Sequence, residues 1–125
     1  MSHTERIIVV SGEFDPLSQK ELNYLKRCKQ HGDWLIVGIH SDFFMHYARG
    51  GFVQPYHERR SIIQSLKCVD EVFSFNDHDG TVCQLLKIVK ICYPNADIYY
   101  MSEEDMHEMP ETKIRGITFE TMKQE

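Results

Sequence analysis

The chain has 125 residues, which is long enough for one hydrophobic core and too short for two, because domains mostly contain about 100 to 150 residues. Fourteen Lys and Arg against nineteen Asp and Glu give a formal net charge of −5, which argues against broad binding of nucleic acid. The hydrophobic fraction of 42% and the charged fraction of 26% are ordinary for a globular protein, so neither disorder nor a fibrous structure is expected.

The apolar stretches and the cysteines indicate a cytoplasmic protein without a membrane partner. The longest apolar stretch, residues 34–39, is far shorter than the roughly 20 residues that cross a bilayer. The first one, residues 7–10, is too short for a secretory signal and follows two charged residues. The cysteines contain no CxxC pair, so reduced thiols are predicted rather than a zinc site at Cys28, Cys68, Cys83 and Cys92.

A strand, a helix and a second strand are predicted at the start of the chain. Arg6–Ser11 is a β-branched apolar run that suits a strand buried on both faces. Apolar residues at helical spacing begin at Leu17 and end at the His31–Gly32 pair, and Asp33–His40 is a second predicted strand. These elements fit within about 35 residues, the length of a right-handed βαβ unit, and therefore predict a parallel sheet.

The remainder of the chain continues the alternation of strands and helices. Asp42–Pro55 has no clear period and is predicted to be a long loop. Asp79 is predicted to cap the helix that ends at Cys92. The pattern therefore predicts an α/β fold with a doubly wound parallel sheet. The elements after the loop are predicted in the order helix, strand, helix, strand and strand, over residues 56–67, 69–75, 80–92, 96–101 and 116–122.

Three stretches of the sequence carry a set of related motifs. Residues 11–42 contain GEFDPLSQKE, residues 55–86 contain an ER pair followed by VDEV and DHDGTV, and residues 96–105 are ADIYYMSEED. Together they resemble the cytidylyltransferases of the HxGH nucleotidylyltransferase superfamily, the group that includes glycerol-3-phosphate cytidylyltransferase. The resemblance implies a Rossmann-like doubly wound sheet and one cytidylyltransferase-like domain over residues 1–125.

The resemblance also implies a reaction. In that family a substrate phosphate attacks the α-phosphate of CTP or another nucleoside triphosphate, with Mg²⁺, and expels pyrophosphate. Such chemistry relies on positioning and on donors placed against the charge that develops on phosphoryl oxygens. The family uses the two imidazoles of HxGH at a helix N-terminus, where the helix dipole favours anions, together with cations in nearby loops.

This chain keeps only part of the family's set of site residues. The HxGH positions are residues 18–21, SQKE, so both histidines are absent. The two loop lysines are replaced by Ala48 and Arg49, and Arg59 matches the arginine of the ER pair. The resemblance therefore implies, as candidate catalytic residues, Ser18, Lys20, Arg49 and Arg59, and, as candidate nucleotide-binding residues, Gly12, Phe14, Asp15, Glu21 and Asp105.

The replacements are expected to weaken binding of a triphosphate. Glu21 puts a carboxylate where the family has an imidazole, and a like charge about 4 Å from a phosphate oxygen costs on the order of 4 kcal/mol at an effective dielectric near 20. Glu103 and Glu104 replace the two glycines of the family's GGD segment and add two charges where a base or ribose would pack. The sequence thus predicts a weak or inactive nucleotide-binding relative, or a partner-binding subunit.

Two other functions stay open at this point. One is an active cytidylyltransferase that joins CTP to a small phosphorylated substrate, with Ser18, Lys20, Arg49 and Arg59 as a rebuilt phosphate site. The other is a regulatory module without enzymatic activity, in which exposed aromatics of the predicted loop form an interface. A homodimer is expected because the family commonly forms dimers. The aromatics of that interface are Phe43, Phe44 and Tyr47.

Several of these residues also have structural explanations. Residues 12–15 could be required by the turn after the first strand, and Arg59 could be a solvated helix residue beside Arg60. His40 could face the site, although a core or rim histidine is the default. Residues 77–79, DHD, are interpreted as turn and capping residues rather than a metal cluster, because adjacent residues in a turn point in different directions.

Overall fold

A five-stranded parallel sheet forms the centre of the computed structural model, which describes residues 5–124. The strands are β1 (Arg6–Gly12), β2 (Trp34–Ile39), β3 (Glu71–Phe73), β4 (Asp97–Ser102) and β5 (Ile117–Thr121). Their order in the sheet is β3-β2-β1-β4-β5, and every neighbouring pair is parallel. The sheet is flanked by the helices α1 (Gln19–Lys29), α2 (Asp42–Arg49), α3 (Tyr56–Gln64) and α4 (Cys83–Cys92). The predicted α/β fold with a doubly wound sheet is therefore confirmed.

The central strand β1 is buried on both faces. Ile8 and Val10 pack into one core with the buried side chains of α1 and α3. Ile7 and Val9 point to the other face and pack into a second core with the buried residues of α4. Burying each such side chain contributes about 1.5 to 3 kcal/mol. This explains why the strand is an uninterrupted apolar run rather than an alternating one.

The segment 42–55, predicted to be a loop, contains helix α2. Ser41 caps it, because its Oγ accepts a hydrogen bond from the backbone N–H of Phe44 at 3.1 Å. Gly50 ends it with a φ of +79°, a left-handed conformation that glycine adopts without a Cβ penalty. The prediction was wrong because the helix spans only eight residues, too few turns for a period to be recognised, and buries only Met45.

Helix α4 begins at Cys83, a few residues later than predicted. The Asp79 carboxylate accepts hydrogen bonds from the backbone N–H and the hydroxyl of Thr81, both at 2.9 Å, and so stabilises the turn before the helix. The N–H of Val82, at the helix start, is satisfied instead by Oε2 of the buried Glu111 at 2.9 Å. The sequence identifies Asp79 as a turn residue, but it does not show how far before the helix this residue lies.

The remaining expectations about the chain concern its thiols, its last strand and membranes. All four cysteines are free thiols, with Cys28 buried and Cys92 exposed. The last predicted strand is confirmed as β5, which pairs in parallel with β4. None of the helices formed by residues 5–124 combines the length and the apolar character needed to cross a bilayer.

Candidate functional site

A cleft of about 730 Å³ opens where β1, β2 and β4 end. β2 and β3 follow on one side of β1, whereas β4 and β5 lie on its other side, so the strand order reverses at β1. Ligands of open α/β sheets bind at such a switch point. The walls are formed by residues 10–14, by His40, by residues 100–104 and by the first half of α1. The chain end contributes residues 123–124.

The side chains that line this cleft are mainly acidic. Glu13 follows β1, Glu21 lies on α1, and Glu103 and Glu104 follow β4. Among the described residues that line the cleft, Lys123 is the single lysine or arginine. Glu13 is paired with Arg49, so three carboxylates against one ammonium remain, and they give the cleft a negative field that repels a polyanion.

The N-terminus of α1 carries its own anion. Ser18 Oγ accepts a hydrogen bond from the backbone N–H of Glu21 at 3.1 Å, and Glu21 Oε1 accepts one from the N–H of Ser18 at 2.9 Å. This reciprocal pair is a capping box. The carboxylate of Glu21 is therefore held next to the helix end that would favour a phosphate. Lys20 lies on the exposed side and makes no ion pair with any residue between 5 and 124.

The turn after β1 depends on Gly12, Phe14 and Asp15. Phe14 has a φ of +50° and a buried ring, and a Cβ on Gly12 would lie 2.8 Å from that ring. Asp15 accepts hydrogen bonds from the backbone N–H groups of Val53 at 2.8 Å and of Gln54 at 2.6 Å. These contacts explain all three residues as parts of a turn that is tied to the segment after α2.

Arg59 is completely buried below the rim of the cleft. Its guanidinium donates to the backbone oxygens of Gln54 at 2.9 Å, Glu13 at 2.9 Å and His40 at 2.8 Å. It also donates to Oδ1 of Asp42 at 2.8 Å. The alternative that Arg59 is a solvated helix residue is therefore wrong. Four acceptors from three segments hold the guanidinium in place, which leaves little donor capacity for a ligand.

Arg49 is engaged by a carboxylate at the cleft. Its Nε and Nη2 donate to the two oxygens of Glu13 at 2.8 to 3.1 Å, a bidentate pair at the protein surface. The hydrogen bond and the charge of Glu13 raise the pKa of the guanidinium. Asp105 does not line the cleft: it borders a separate depression of about 210 Å³ and accepts a hydrogen bond from the N–H of His107 at 2.9 Å.

His40 and Asp77 form a buried pair at the end of β2. Nδ1 of His40 lies 2.9 Å from Oδ2 of Asp77, and the two side chains are 11% and 0% exposed. Asp77 also accepts the N–H of Ser41 at 2.9 Å and its hydroxyl at 2.6 Å. Burial raises the pKa of Asp77, but the hydrogen bonds from Ser41 and His40 outweigh it and hold the pKa below its usual range. An ionised Asp77 only accepts, so His40 carries its proton on Nδ1.

The aromatic residues of α2 do not form one continuous surface. Phe44 stacks on the His40 ring, with centroids 3.9 Å apart and planes 16° apart. Phe43 contacts His78, with centroids 4.1 Å apart, and remains 52% exposed, while Tyr47 is 86% exposed. The predicted exposed trio is therefore wrong for Phe44, because that ring covers the buried histidine.

A nucleoside triphosphate with Mg²⁺ does not fit the side chains of the cleft. The three remaining carboxylates oppose the phosphates, and the arginines closest to the turn are engaged by protein acceptors. Within residues 5–124 there is no group of three or more His, Cys, Asp or Glu arranged to hold a metal ion.

The comparison with known families agrees with the motifs. The sequence profile described as cytidylyltransferase-like matches residues 9–121, which is most of the chain. The chain belongs to the cytidylyltransferase-like family. The bifunctional protein HldE of a Nitratiruptor strain is 36% identical over 88 residues, which are 69% of this chain and 19% of HldE. The ethanolamine-phosphate cytidylyltransferase of Arabidopsis thaliana is 36% identical over 67 residues, which are 54% of this chain and 16% of that enzyme.

Solved structures share the fold of this cytidylyltransferase-like chain. The lipopolysaccharide core biosynthesis protein of Thermoplasma volcanium has a TM-score of 0.70 at 20% identity, with 97% of each chain covered. A bifunctional NMN adenylyltransferase/ADP ribose pyrophosphatase of Francisella tularensis has a TM-score of 0.69 at 14% identity, with 98% of this chain and 38% of that chain covered. The chain spans about a fifth of the length of the HldE relatives it matches.

The structure brings only some of the candidate site residues of this cytidylyltransferase-like chain together. Gly12, Phe14 and Glu21 line the cleft. Ser18 lies at the adjacent helix start, while the other candidates do not line the cleft and are Asp15, Lys20, Arg49, Arg59 and Asp105. Sequence reasoning did not assign Glu13 or Tyr24 to the site. It left His40 undecided, because the partner Asp77 is 37 residues away in the chain.

Proposed function

We propose that this chain has lost efficient nucleotidyl transfer, binds nucleoside triphosphates weakly at most, and acts by binding rather than by catalysis. The observation that carries this proposal is the charge of the cleft, where Glu21, Glu103 and Glu104 stand against a single lysine and Glu13 is paired with Arg49. Transfer of a nucleotidyl group requires positive charge or donors against the phosphoryl oxygens. A negatively charged cleft stabilises neither the bound triphosphate nor the transition state of nucleotidyl transfer.

The cations that could rebuild a phosphate site have other partners or lie outside the cleft. Arg59 is fixed by four acceptors, and Arg49 is paired with Glu13. Lys20 lies on the exposed side of the helix start. Losing one donor in such a site lowers the rate by roughly 10² to 10³, and here both motif imidazoles are absent. These observations favour loss of catalysis over the active alternative.

Binding and turnover of nucleotides test the proposal. The Francisella tularensis enzyme with a similar fold was solved with AMP and an Mn ion, so nucleotide with a metal ion is the appropriate ligand to try. Calorimetric titration with CTP and with ATP, each with and without Mg²⁺, is expected to give no binding tighter than about 1 mM. Tight binding together with pyrophosphate release from CTP and a phosphorylated acceptor would contradict the proposal.

Restoring the motif is expected to strengthen binding of CTP. The triple variant Ser18→His, Lys20→Gly and Glu21→His removes the carboxylate from the helix start and returns two imidazole donors. We expect the affinity for CTP with Mg²⁺ to rise at least tenfold, because removing the like charge alone relieves up to a few kcal/mol. Titration calorimetry of the wild type and the variant measures the change.

A matched control separates the charge from the donors. Ser18→Ala with Glu21→Ala loses the same capping box and the same carboxylate but adds no imidazole. It should gain less affinity than the triple variant, and circular dichroism should show that both variants are folded. Equal affinities for CTP in the wild type and the triple variant would mean that the cleft is closed to nucleotides for a reason other than charge.

The homodimer and the cytoplasmic location stay predictions from the sequence.

A further inference from the structure

We propose that residues 122–124 form a strap that lies across the cleft and must move aside before a ligand can fill it. The inference goes beyond the proposed function, because it concerns access to the cleft and not its charge. Three observations carry it: the strap begins at a fixed point beside β4, it is bonded to two walls of the cleft, and it carries a positive charge into an acidic space.

The start of the strap is fixed by the sheet. Met122 directly follows β5, and its backbone N–H donates to the backbone oxygen of Ser102 at 2.7 Å. This bond extends the pairing of β5 with β4, since Thr121 is the register partner of Ser102. The Met122 side chain packs against the core that contains Tyr24 and Met101, two residues that line the cleft. The strap therefore leaves the sheet at the edge of the cleft.

Beyond Met122 the strap is bonded to two walls of the cleft. One wall is α1, where Nη1 of Arg27 donates to the backbone oxygen of Lys123 at 3.1 Å. The other is the segment after β4, where Oε2 of Glu103 accepts a hydrogen bond from Nε2 of Gln124 at 3.1 Å. Both strap residues also line the cleft. Two consecutive residues thus join the helix wall to the sheet wall and occupy the space between them.

The charge of the cleft favours the closed strap. Lys123 lines the same space as Glu21, Glu103 and Glu104, so their field attracts its ammonium group. Lys123 is exposed, and this attraction therefore weakens as salt is added. The negative field that repels a triphosphate thus holds a cationic segment of the chain itself in the cleft.

The contacts of the strap are weak enough for it to open while the domain stays folded. Lys123 is exposed and Gln124 is half-buried, and hydrogen bonds in such places each change a local equilibrium by about two- to tenfold. Segments with few buried contacts open locally without global unfolding. A ligand of the cleft competes with the closed strap, so its apparent affinity falls in proportion to the fraction of open molecules. The strap is therefore an autoinhibitory contact.

Removing the strap should let small molecules reach the backbone beneath it. The probe is a neutral gadolinium chelate, which relaxes the amide protons that it approaches in ¹H–¹⁵N spectra and is not repelled by the acidic side chains. In a chain that ends at Met122, relaxation at Ser102 and Glu103 is expected to rise about twofold or more, because the strap no longer excludes the chelate. Ile91, which is exposed on α4 and does not line the cleft, should show no change.

A double variant tests the two bonds in the full chain. Arg27→Gln with Gln124→Ala loses the bonds to both walls and is expected to raise the open fraction about tenfold, with increased relaxation at Ser102. The matched control, Arg115→Gln with Gln64→Ala, makes the same changes at exposed positions outside the cleft and should behave like the wild type. Dispersed amide signals show that each variant is folded, and the double variant decides if the shortened chain is not.

The outcomes separate this inference from the loss of nucleotidyl transfer. Unchanged relaxation at Ser102 and Glu103 in the folded variants would overturn the strap, and an increase in the shortened chain alone would overturn the role of the two bonds. The shortened chain lacks Lys123, so its cleft is more acidic and CTP should still bind no tighter than about 1 mM. Tight binding of CTP to it would contradict the proposed function and not the strap.

Discussion

Replacing Arg59 with Met is expected to lower the free energy of unfolding by about 4 kcal/mol. The guanidinium satisfies the backbone oxygens of Glu13, His40 and Gln54, none of which the methionine side chain can reach as a donor. It also neutralises Asp42 through a 2.8 Å contact. Removing one partner of a buried network leaves its acceptors unsatisfied, and this penalty is larger than the gain from an apolar side chain. Urea denaturation at neutral pH measures the loss.

Arg60 offers a matched control for this effect. It is the next residue of α3, is only partly buried, and donates to the hydroxyls of Tyr56 and Ser74 at 3.2 Å. Arg60→Met is expected to cost less than about 1 kcal/mol, because both of its acceptors can bond to water. Similar losses for the two variants would contradict the assignment of Arg59 as a buried structural group. A stable Arg59 variant that loses only ligand affinity would instead restore its role as a phosphate ligand.

Replacing Asp77 with Ala is expected to cost about 3 kcal/mol at neutral pH. The carboxylate accepts three hydrogen bonds, from Nδ1 of His40 and from the N–H and hydroxyl of Ser41. Without the carboxylate, these donors lie in a buried region where no other acceptor is described for them. Ser41 also caps α2, so the loss extends to the start of that helix. Chemical denaturation of the wild type and the variant gives the difference.

The stabilisation by Asp77 should depend on pH in a defined direction. The pKa of Asp77 is lower in the folded protein than its ordinary value of 3.8, so its charged form stabilises the fold. The contribution is complete above about pH 4 and disappears as the pH falls through the lower pKa of the folded state. The difference between wild type and Asp77→Ala should therefore shrink on acidification. Asp79→Ala, which changes an exposed turn residue, should show a much smaller effect, and an equal effect would contradict the burial of Asp77.

Local patterns in the sequence were sufficient for the sheet and for the family. The buried run of β1 and the alternation of strands with helices follow from apolar spacing, which each segment carries within itself. Helix α2 was missed because its stability comes from Ser41 and Gly50 at its ends, with Met45 as its single buried residue. A helix of only eight residues has too few turns for its period to be recognised in the sequence.

The site was harder to predict because its residues meet through the fold. Glu21 was correctly expected at the helix start, since the motif fixes its position, but the bond to Ser18 depends on the capping geometry. The pairing of His40 with Asp77 joins positions 37 residues apart, and no local pattern reports it. Arg59 matched a motif, yet only the packing of three segments around it shows that its donors are occupied.

The negative charge of the cleft is tested most directly by following the signals of backbone amides while CTP and Mg²⁺ are added. In ¹H–¹⁵N correlation spectra, the amides of Gly12, Ser18 and Glu21 report on the turn and the helix start where the family's phosphates would lie. We expect no saturable shift of these signals up to about 1 mM nucleotide. Saturable shifts of all three signals, with a dissociation constant in the micromolar range, would contradict the conclusion that this cleft rejects a triphosphate.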